Sequence, residues 1–320
     1  MTSLQLVAPP RLAVPADTIF PHVLLGVDFG AASLAAARWA TTYVTPHANA
    51  LFSHVVPFPD DVGEADDADP ARVESLRRMG PALIGGLGGF AATLDVASAR
   101  SILRVGRPSR WLSAIANDED VSLVVLGRRA DANRVRIGEP NVIERASRRM
   151  SASVLVVPEG VVQPPAHVVA AVDESRFASR VLRVARQLAR LHEVPMTVVH
   201  VLPPAVGAYE RVIRTARHLL GRDRTLKSTD RLPAPNALPR RMARWLVELG
   251  RSHNVSGRDR IDVATGDPAR EIAAVAACNE ATLVVVGMRG ADDAPMGSLG
   301  SVARELLTRA PLAVLAVNGN

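Results

Sequence analysis

The chain contains one pattern twice, and that repetition limits the folds open to it. His22-Val-Leu-Leu-Gly-Val-Asp28 and His167-Val-Val-Ala-Ala-Val-Asp173 are both apolar runs that end in aspartate and lead into an Ala/Arg-rich helical stretch. Ala50 to Val55 answers Thr197 to Val201, Gly106-Arg-Pro108 answers Gly266-Asp-Pro268, and Leu123 to Gly127 answers Leu283 to Gly287. The last two pairs share an offset of 160 residues, which a duplicated domain explains and coincidence does not.

Upstream the offset is 145 (Asp28 to Asp173), so the second copy carries 15 extra residues, 14 of them between His200 and Gly266. They map to the Arg- and Pro-rich stretch from Gly221 to Arg241, which reads as a solvated loop rather than a basic lid. The first copy has an acidic counterpart, Asp60 to Asp69. The glycines Gly85, Gly86, Gly88 and Gly89 fall in a helix-like stretch and predict a kink or loose packing.

Within each copy, short apolar runs alternate with helical periodicity. Strands are expected near 22–28, 50–56, 99–105, 122–127 and 153–157, and again near 167–173, 197–202, 260–265, 282–287 and 312–317. Helices follow near 31–43, 108–117 and 141–149, and near 176–191, 268–279 and 301–309. This alternation predicts an α/β chain of two tandem doubly wound, Rossmann-like domains, each a five-stranded parallel sheet flanked by helices. The domains are placed at 1–158 and 167–320, with a linker from Glu159 to Ala166 that contains Pro164 and Pro165. Ligands in such sheets bind outside the strand carboxyl ends, where the strand order switches.

One such end carries an unusual spacing. Gly287, Gly290, Gly300 and Ser301 form G-x2-G-x9-G-S, directly after the apolar run Leu283 to Val286 and directly before a helical stretch. By chance the pattern arises in roughly 1% of chains this long. A strand, glycine turn and helix aim free N–H groups and a positive helix end at one place, which is the chemistry a phosphate needs. Glycine is expected there for positive φ and for close backbone approach.

Composition narrows the function further. At 320 residues, 48% hydrophobic and 22% charged, the chain is composed like a globular protein of two domains. It has no run of 18 apolar residues, and Pro9, Pro10, Arg11, Pro15 and Asp17 stand where a signal peptide needs an apolar core, so a cytoplasmic protein without a membrane partner is expected. Cys278 is the only cysteine, excluding an intramolecular disulfide; its helical surroundings place it in the core. The first 160 residues carry 16 basic and 17 acidic side chains and the rest carry 22 and 15, so the net charge of +6 arises in the second half. With 3% aromatics to stack on bases, no nucleic-acid partner is expected. Among the eight histidines no metal-ligand spacing occurs, and the chain has neither a G-x4-G-K-[ST] loop nor a G-x-S-x-G elbow.

These residues together resemble the universal stress protein family in a tandem form whose two domains cover nearly the whole chain. In the second copy the resemblance rests on Val172-Asp173 with Ser175, His200-Val201, Gly266-Asp-Pro268, and Val286-Gly287-Met-Arg289-Gly290 followed by Gly300-Ser301-Val302. It implies an ATP site of the kind found in the ATP-binding branch. Asp173 and the Val201 backbone would border the adenosine. Val286, Gly287, Arg289 and Gly290 would line the ribose and phosphates, and Gly300, Ser301 and Val302 would meet the phosphate chain. Arg289 supplies a fixed positive charge beside the turn, and Ser301 suits the N-cap of the following helix. Asp173 also has a plain structural reading as a turn or cap residue. Asp292 and Asp293, inside the nine-residue spacer, are open to three readings: a solvent-facing pair, repulsion of a triphosphate, or a bridging cation such as Mg2+.

The first copy departs from this pattern. Gly127, Ala130, Pro140 and Asn141 stand in place of Gly287, Gly290, Gly300 and Ser301. Proline removes an N–H that would face phosphate, and Asn141 with Glu144 reads as a capping box. The first domain is therefore expected to be a structural or partner-binding half.

The leading expectation is a non-catalytic ATP-binding stress-response regulator with one adenine nucleotide in its second domain and an unidentified protein partner. A slow ATPase would need a positioned base, which is not evident, since His200 at the end of a buried strand has a plain core reading. A third class is a nucleotide-free interaction protein with both sites vestigial. The short final strands, 154–157 and 312–317, are suited to pair as sheet edges in an internal pseudo-dimer, and a further homodimer is compatible with the sequence.

Overall fold

A computed structural model describes residues 4–5, 13–15, 18–57, 70–129, 142–147, 149–202, 240–253, 255, 257–289 and 299–319. The chain divides into two compact units, with the boundary between Val162 and Gln163.

The first unit holds β1 (Leu4–Gln5), β2 (His22–Gly26), α1 (Ala31–Tyr43), β3 (Asn49–Val56), α2 (Pro70–Ala91), β4 (Ser98–Val105), α3 (Pro108–Asp118), β5 (Leu123–Arg128), α4 (Val142–Ser147) and β6 (Ser153–Pro158). The second holds β7 (Val168–Ala171), α5 (Ala178–Leu191), β8 (Met196–Leu202), α6 (Arg240–Ser252), β9 (Arg260–Thr265), α7 (Pro268–Cys278), β10 (Leu283–Gly287), α8 (Ser301–Arg309) and β11 (Ala313–Val317).

The strands run β4-β3-β2-β5-β6 in the first unit and β9-β8-β7-β10-β11 in the second, and every neighbouring pair within these runs is parallel. The doubly wound α/β expectation therefore holds, with one addition. The first sheet gains β1 as a sixth, antiparallel strand on the β4 edge, where Leu4 faces Leu103 and Gln5 faces Ile102. A two-residue strand has no periodicity to read, so only its pairing partner reveals it.

The central strands are continuous apolar runs because both sheet faces are covered. Leu24, Leu25, Phe52, Leu103, Leu123 and Leu155 are buried in the first unit, and Val169, Met196, Val284, Val285 and Leu315 in the second. Each such side chain contributes about 1.5–3 kcal/mol on burial. In α5 the buried face is Val181, Leu182, Ala185 and Leu188, while Arg183 and Arg190 stay exposed, which is the helical spacing that made this stretch legible.

The repeat extends to the turns. Gly106 (φ +132°) and Gly266 (φ +144°) both occupy a backbone conformation that L side chains rarely adopt, and their N–H groups donate to the carbonyls of Val56 and Leu202 at 2.9 and 3.0 Å. Pro108 and Pro268 then open α3 and α7 at positions where the missing N–H costs nothing. The glycine–proline turns are thus structural in both copies.

Three local expectations change. Arg240 and Arg241 begin α6 and so do not belong to the preceding loop. Cys278 is exposed, because it ends α7 on the side away from Ile272, Val275 and Ala276. Among the glycines of α2, Gly85, Gly88 and Gly89 have open space where a Cβ would stand, whereas a Cβ on Gly86 would lie 3.3 Å from the Phe29 ring. Asp60–Asp69, the loop residues 221–239, Ala130, Pro140, Asn141, Gly290, Asp292 and Asp293 lie outside the described residues.

Candidate functional site

In the second unit the strand order turns outward from the β7–β10 pair, with β8 on one side and β11 on the other. Val286 sits opposite Ala171 in that pair. The switch therefore falls where β7 runs out toward Asp173 and β10 ends at Gly287, with Val201 on the adjacent β8. This brings Asp173, Val286 and Gly287 to one end of the sheet, as the sequence predicted.

Asp173 closes a turn there. Its Oδ1 accepts the N–H of Ser175 at 3.0 Å, and the Ser175 hydroxyl oxygen accepts the N–H of Phe177 at 3.2 Å. Asp173 thus shapes the entry to α5 and is not its N-cap, which is Phe177. In the first unit Asp28 is held more tightly, with Oδ1 accepting both the Gly30 N–H at 2.9 Å and the Ser33 hydroxyl. Burial alone would raise the Asp28 pKa, but the Ser33 hydroxyl and the Gly30 N–H, with the backbone N–H of Asp28 itself and the charge of Arg129, together outweigh it and hold the carboxyl below its usual range. Ala178 stands where Ser33 does, so the carboxylate of Asp173 lacks that hydroxyl.

The two strand-end glycines differ in a way their shared letter conceals. A Cβ on Gly127 would lie 2.4 Å from the carbonyl carbon and oxygen of Ala32 and 2.6 Å from the Ser33 nitrogen, so the first turn of α1 rests directly on the end of β5. Among the described residues, a Cβ on Gly287 would meet the Arg289 carbonyl oxygen at 3.0 Å and Val181 Cγ2 at 3.8 Å. The cause is local. α1 starts one residue after Gly30, whereas Ser175, Arg176 and Phe177 intervene before α5 starts at Ala178. Gly127 is thus retained by close packing, while among the described residues no helix backbone is pressed on Gly287.

The phosphate-turn expectation needs two corrections. Neither Gly287 nor Gly300 has positive φ; Gly300 sits at φ −59°, ψ 148°. Gly300, not Ser301, is the N-cap of α8, with Ser301 the first helical residue. The Gly300 N–H is already used, donating to the Met288 carbonyl at 2.9 Å. With no side chain at the cap, the amides of Ser301 and Val302 at the positive end of α8 receive no side-chain acceptor from it.

Arg289 lies in the turn between these elements. Its Nε is buried without a hydrogen-bond partner. Arg100 and Arg186 also leave Nε buried, but their Nη groups pair with Glu119 and Asp259; among the described residues Arg289 has no such carboxylate.

Each copy also sets a histidine at the end of its second strand. His54 Nδ1 meets the Val27 carbonyl at 2.7 Å and His200 Nδ1 meets the Val172 carbonyl at 2.8 Å. Sequence reasoning assigned His200 to the core, and it is buried. It missed the aromatic rings packed on both histidines: Phe29 lies 4.9 Å from the His54 ring and Trp245 lies 5.5 Å from the His200 ring, between centroids. No local periodicity marks either residue, and only their corresponding positions in the other copy, Glu174 and Gly85, could have drawn attention to them.

Burial pushes the His200 imidazole below its usual range, against the opposing pull of the Val172 carbonyl, Glu174 and Asp173. His167 and His253 are lowered by burial as well, with Arg260 and Arg183 adding to it respectively and Asp259 opposing at His167. All three depressed groups belong to the second unit. The unfolded chain therefore takes up protons first, so stability is full above about pH 6.5 and is lost as the pH falls through the folded values. Thermal melts between pH 7.5 and 5 should show a falling midpoint, reduced in slope by His200→Asn. A midpoint independent of pH over that range would contradict this.

A cavity of about 20 Å³, large enough for one water, lies at the opposite, amino end of the first sheet between His22, Asn49, Ser98, Arg100 and Glu119. It has no part in the strand-end crevice. Among the described residues no group of His, Cys, Asp and Glu is placed to hold a metal ion, and no helix is long and apolar enough to cross a membrane.

The fold and its switch points define a doubly wound α/β domain built twice. The chain belongs to the universal stress protein family, which it matches over residues 20–158 and 166–318. A universal stress protein from Archaeoglobus fulgidus DSM 4304 shares the fold with a TM-score of 0.62 at 18% identity, covering 93% of this chain and 98% of its own. A functionally unknown protein from Pseudomonas aeruginosa PAO1 does so with a TM-score of 0.54 at 13% identity, covering 95% and 94%. Among curated proteins, none matches the chain.

Proposed function

We propose that the second unit binds one adenine nucleotide, ATP, and that the chain is a non-catalytic regulator whose nucleotide occupancy alters its surface for a protein partner. The observation that carries this reading is the difference between the two copies at the switch point. In the first, the α1 backbone covers Gly127. In the second, α5 starts later, and the turn after β10 offers an arginine with a buried Nε that has no partner among the described residues, together with the N-terminus of α8, whose N-cap Gly300 supplies no side-chain acceptor. A buried donor left unpaired costs about 1–3 kcal/mol, which a phosphate oxygen would recover.

In this reading Asp173 and Val201 border the adenosine, Val286, Gly287 and Arg289 flank the ribose and phosphates, and Ser301 and Val302 donate N–H groups to the phosphate chain. Gly290 and an accompanying Mg2+ belong to the proposal through the sequence pattern alone. A cytoplasmic location, an intramolecular pseudo-dimer of the two domains and a further homodimer complete it.

Protein purified without added nucleotide and then denatured should release ATP detectable by mass spectrometry, and calorimetry on the emptied chain should give one site. Two nucleotides per chain, or no binding at millimolar ATP, would overturn the reading. Phosphate release proportional to pure protein would move it to an ATPase.

A further inference from the structure

The two units set an aromatic ring beside the strand-end histidine from different elements. In the first, Phe29 comes from the loop after β2. Its backbone is held at φ +60°, and its ring lies on His54 and against Gly86 of α2. The ring is half-buried there. In the second, the ring comes from the helix: Trp245 of α6 falls at the place of Gly85 when counted back by the offset of 160, and it meets His200 edge to face. The loop position of Phe29 is taken by Glu174, which is exposed. Trp245 is half-buried, as Phe29 is, so part of its larger aromatic surface remains accessible, and the residue it meets, His200, directly precedes Val201 on β8.

From this exchange we infer that Trp245 is the base-stacking residue of the second unit, and that it makes the site select a planar purine base over bare phosphate. The inference rests on the nucleotide reading above and adds to it the group that recognises the base. His200 supports the indole as an uncharged partner: Nδ1 is committed to the Val172 carbonyl, and burial disfavours its protonation. An indole held in this way presents its π-face or edge to a ligand ring without a large ordering cost. Phe29 holds the corresponding place beside His54 in the first unit.

Trp245 is the only tryptophan of the second half, since the chain's other two are Trp39 and Trp111. The test uses the full chain with ATP, adenosine and tripolyphosphate, reading tryptophan emission and calorimetric affinity for the wild type, Trp245→Phe and Trp245→Leu. ATP and adenosine should quench the emission and tripolyphosphate should not. Trp245→Leu should weaken ATP about 10-fold or more while leaving tripolyphosphate unchanged, and Trp245→Phe should retain most of the affinity. Equal ATP affinity in wild type and Trp245→Leu would overturn the inference alone, as would parallel losses of ATP and tripolyphosphate. Absence of any ATP binding by the wild type would overturn the nucleotide reading beneath it. Trp245→Phe, which keeps a ring on His200, separates stacking from folding: a loss equal to that of Trp245→Leu assigns the residue to the core.

Discussion

Gly127→Ala is expected to destabilise the first unit by about 3 kcal/mol, near the upper end for overpacking. The added Cβ would stand 2.4 Å from the carbonyl carbon and oxygen of Ala32 and 2.6 Å from the Ser33 nitrogen. These are helix backbone atoms, so no rotamer change relieves the contact and α1 must shift as a body. Among the described residues the corresponding Gly287→Ala meets the Arg289 carbonyl oxygen at 3.0 Å and Val181 Cγ2 at 3.8 Å, and it should cost about 1 kcal/mol or less. Urea unfolding followed by tryptophan emission in a Trp245→Phe background, where only Trp39 and Trp111 of the first unit emit, reads Gly127→Ala directly, and far-UV dichroism, which sums both units, adds the transition of the second in a chain that need not unfold in one step. Equal costs at the two glycines would remove the packing distinction on which the single-site reading stands.

Ser301→Asp is expected to weaken ATP binding about 10- to 100-fold, the range spanned by losing one hydrogen bond to a charged group. The same change should leave the thermal midpoint unchanged or slightly raised. Position 301 opens α8, where a carboxylate is favoured by the helix dipole and repels a phosphate. Ser301→Pro separates charge from the N–H, because proline suits the first helical position and the preceding Gly300 is already extended at ψ 148°. It should also weaken ATP while preserving the fold. Gly300→Pro is a poorer probe, since it deletes the N–H that donates to Met288. Undiminished ATP affinity in both Ser301 variants would remove the N-terminus of α8 from the site.

Most of the secondary structure was legible because both sheet faces are covered, which turns each central strand into an uninterrupted apolar run such as Leu283 to Val286. The duplication doubled that signal. What escaped depends on partners distant in sequence. β1 exists only by pairing with β4. Cys278 shares its helix with core residues, but the end of α7 turns it to solvent. Ser301 has the chemistry of a cap, yet the turn ends one residue earlier because the Gly300 N–H is held by Met288. Phe29 and Trp245 carry no motif, and each matters only through the histidine it meets.

The sequence by itself determined that one α/β domain occurs twice, where its strands and helices lie, and that the second copy alone carries the full glycine–serine spacing. These follow from local periodicity and from comparing two copies under one offset. The tertiary structure decided what the shared glycine means in each copy. A two-residue difference in where a helix begins sets the α1 backbone on Gly127 and leaves Gly287 without that cover. Such a contact joins atoms almost a hundred residues apart, and close packing, which no local pattern encodes, is what assigns Gly127 to the fold and leaves Gly287 to the proposed ligand.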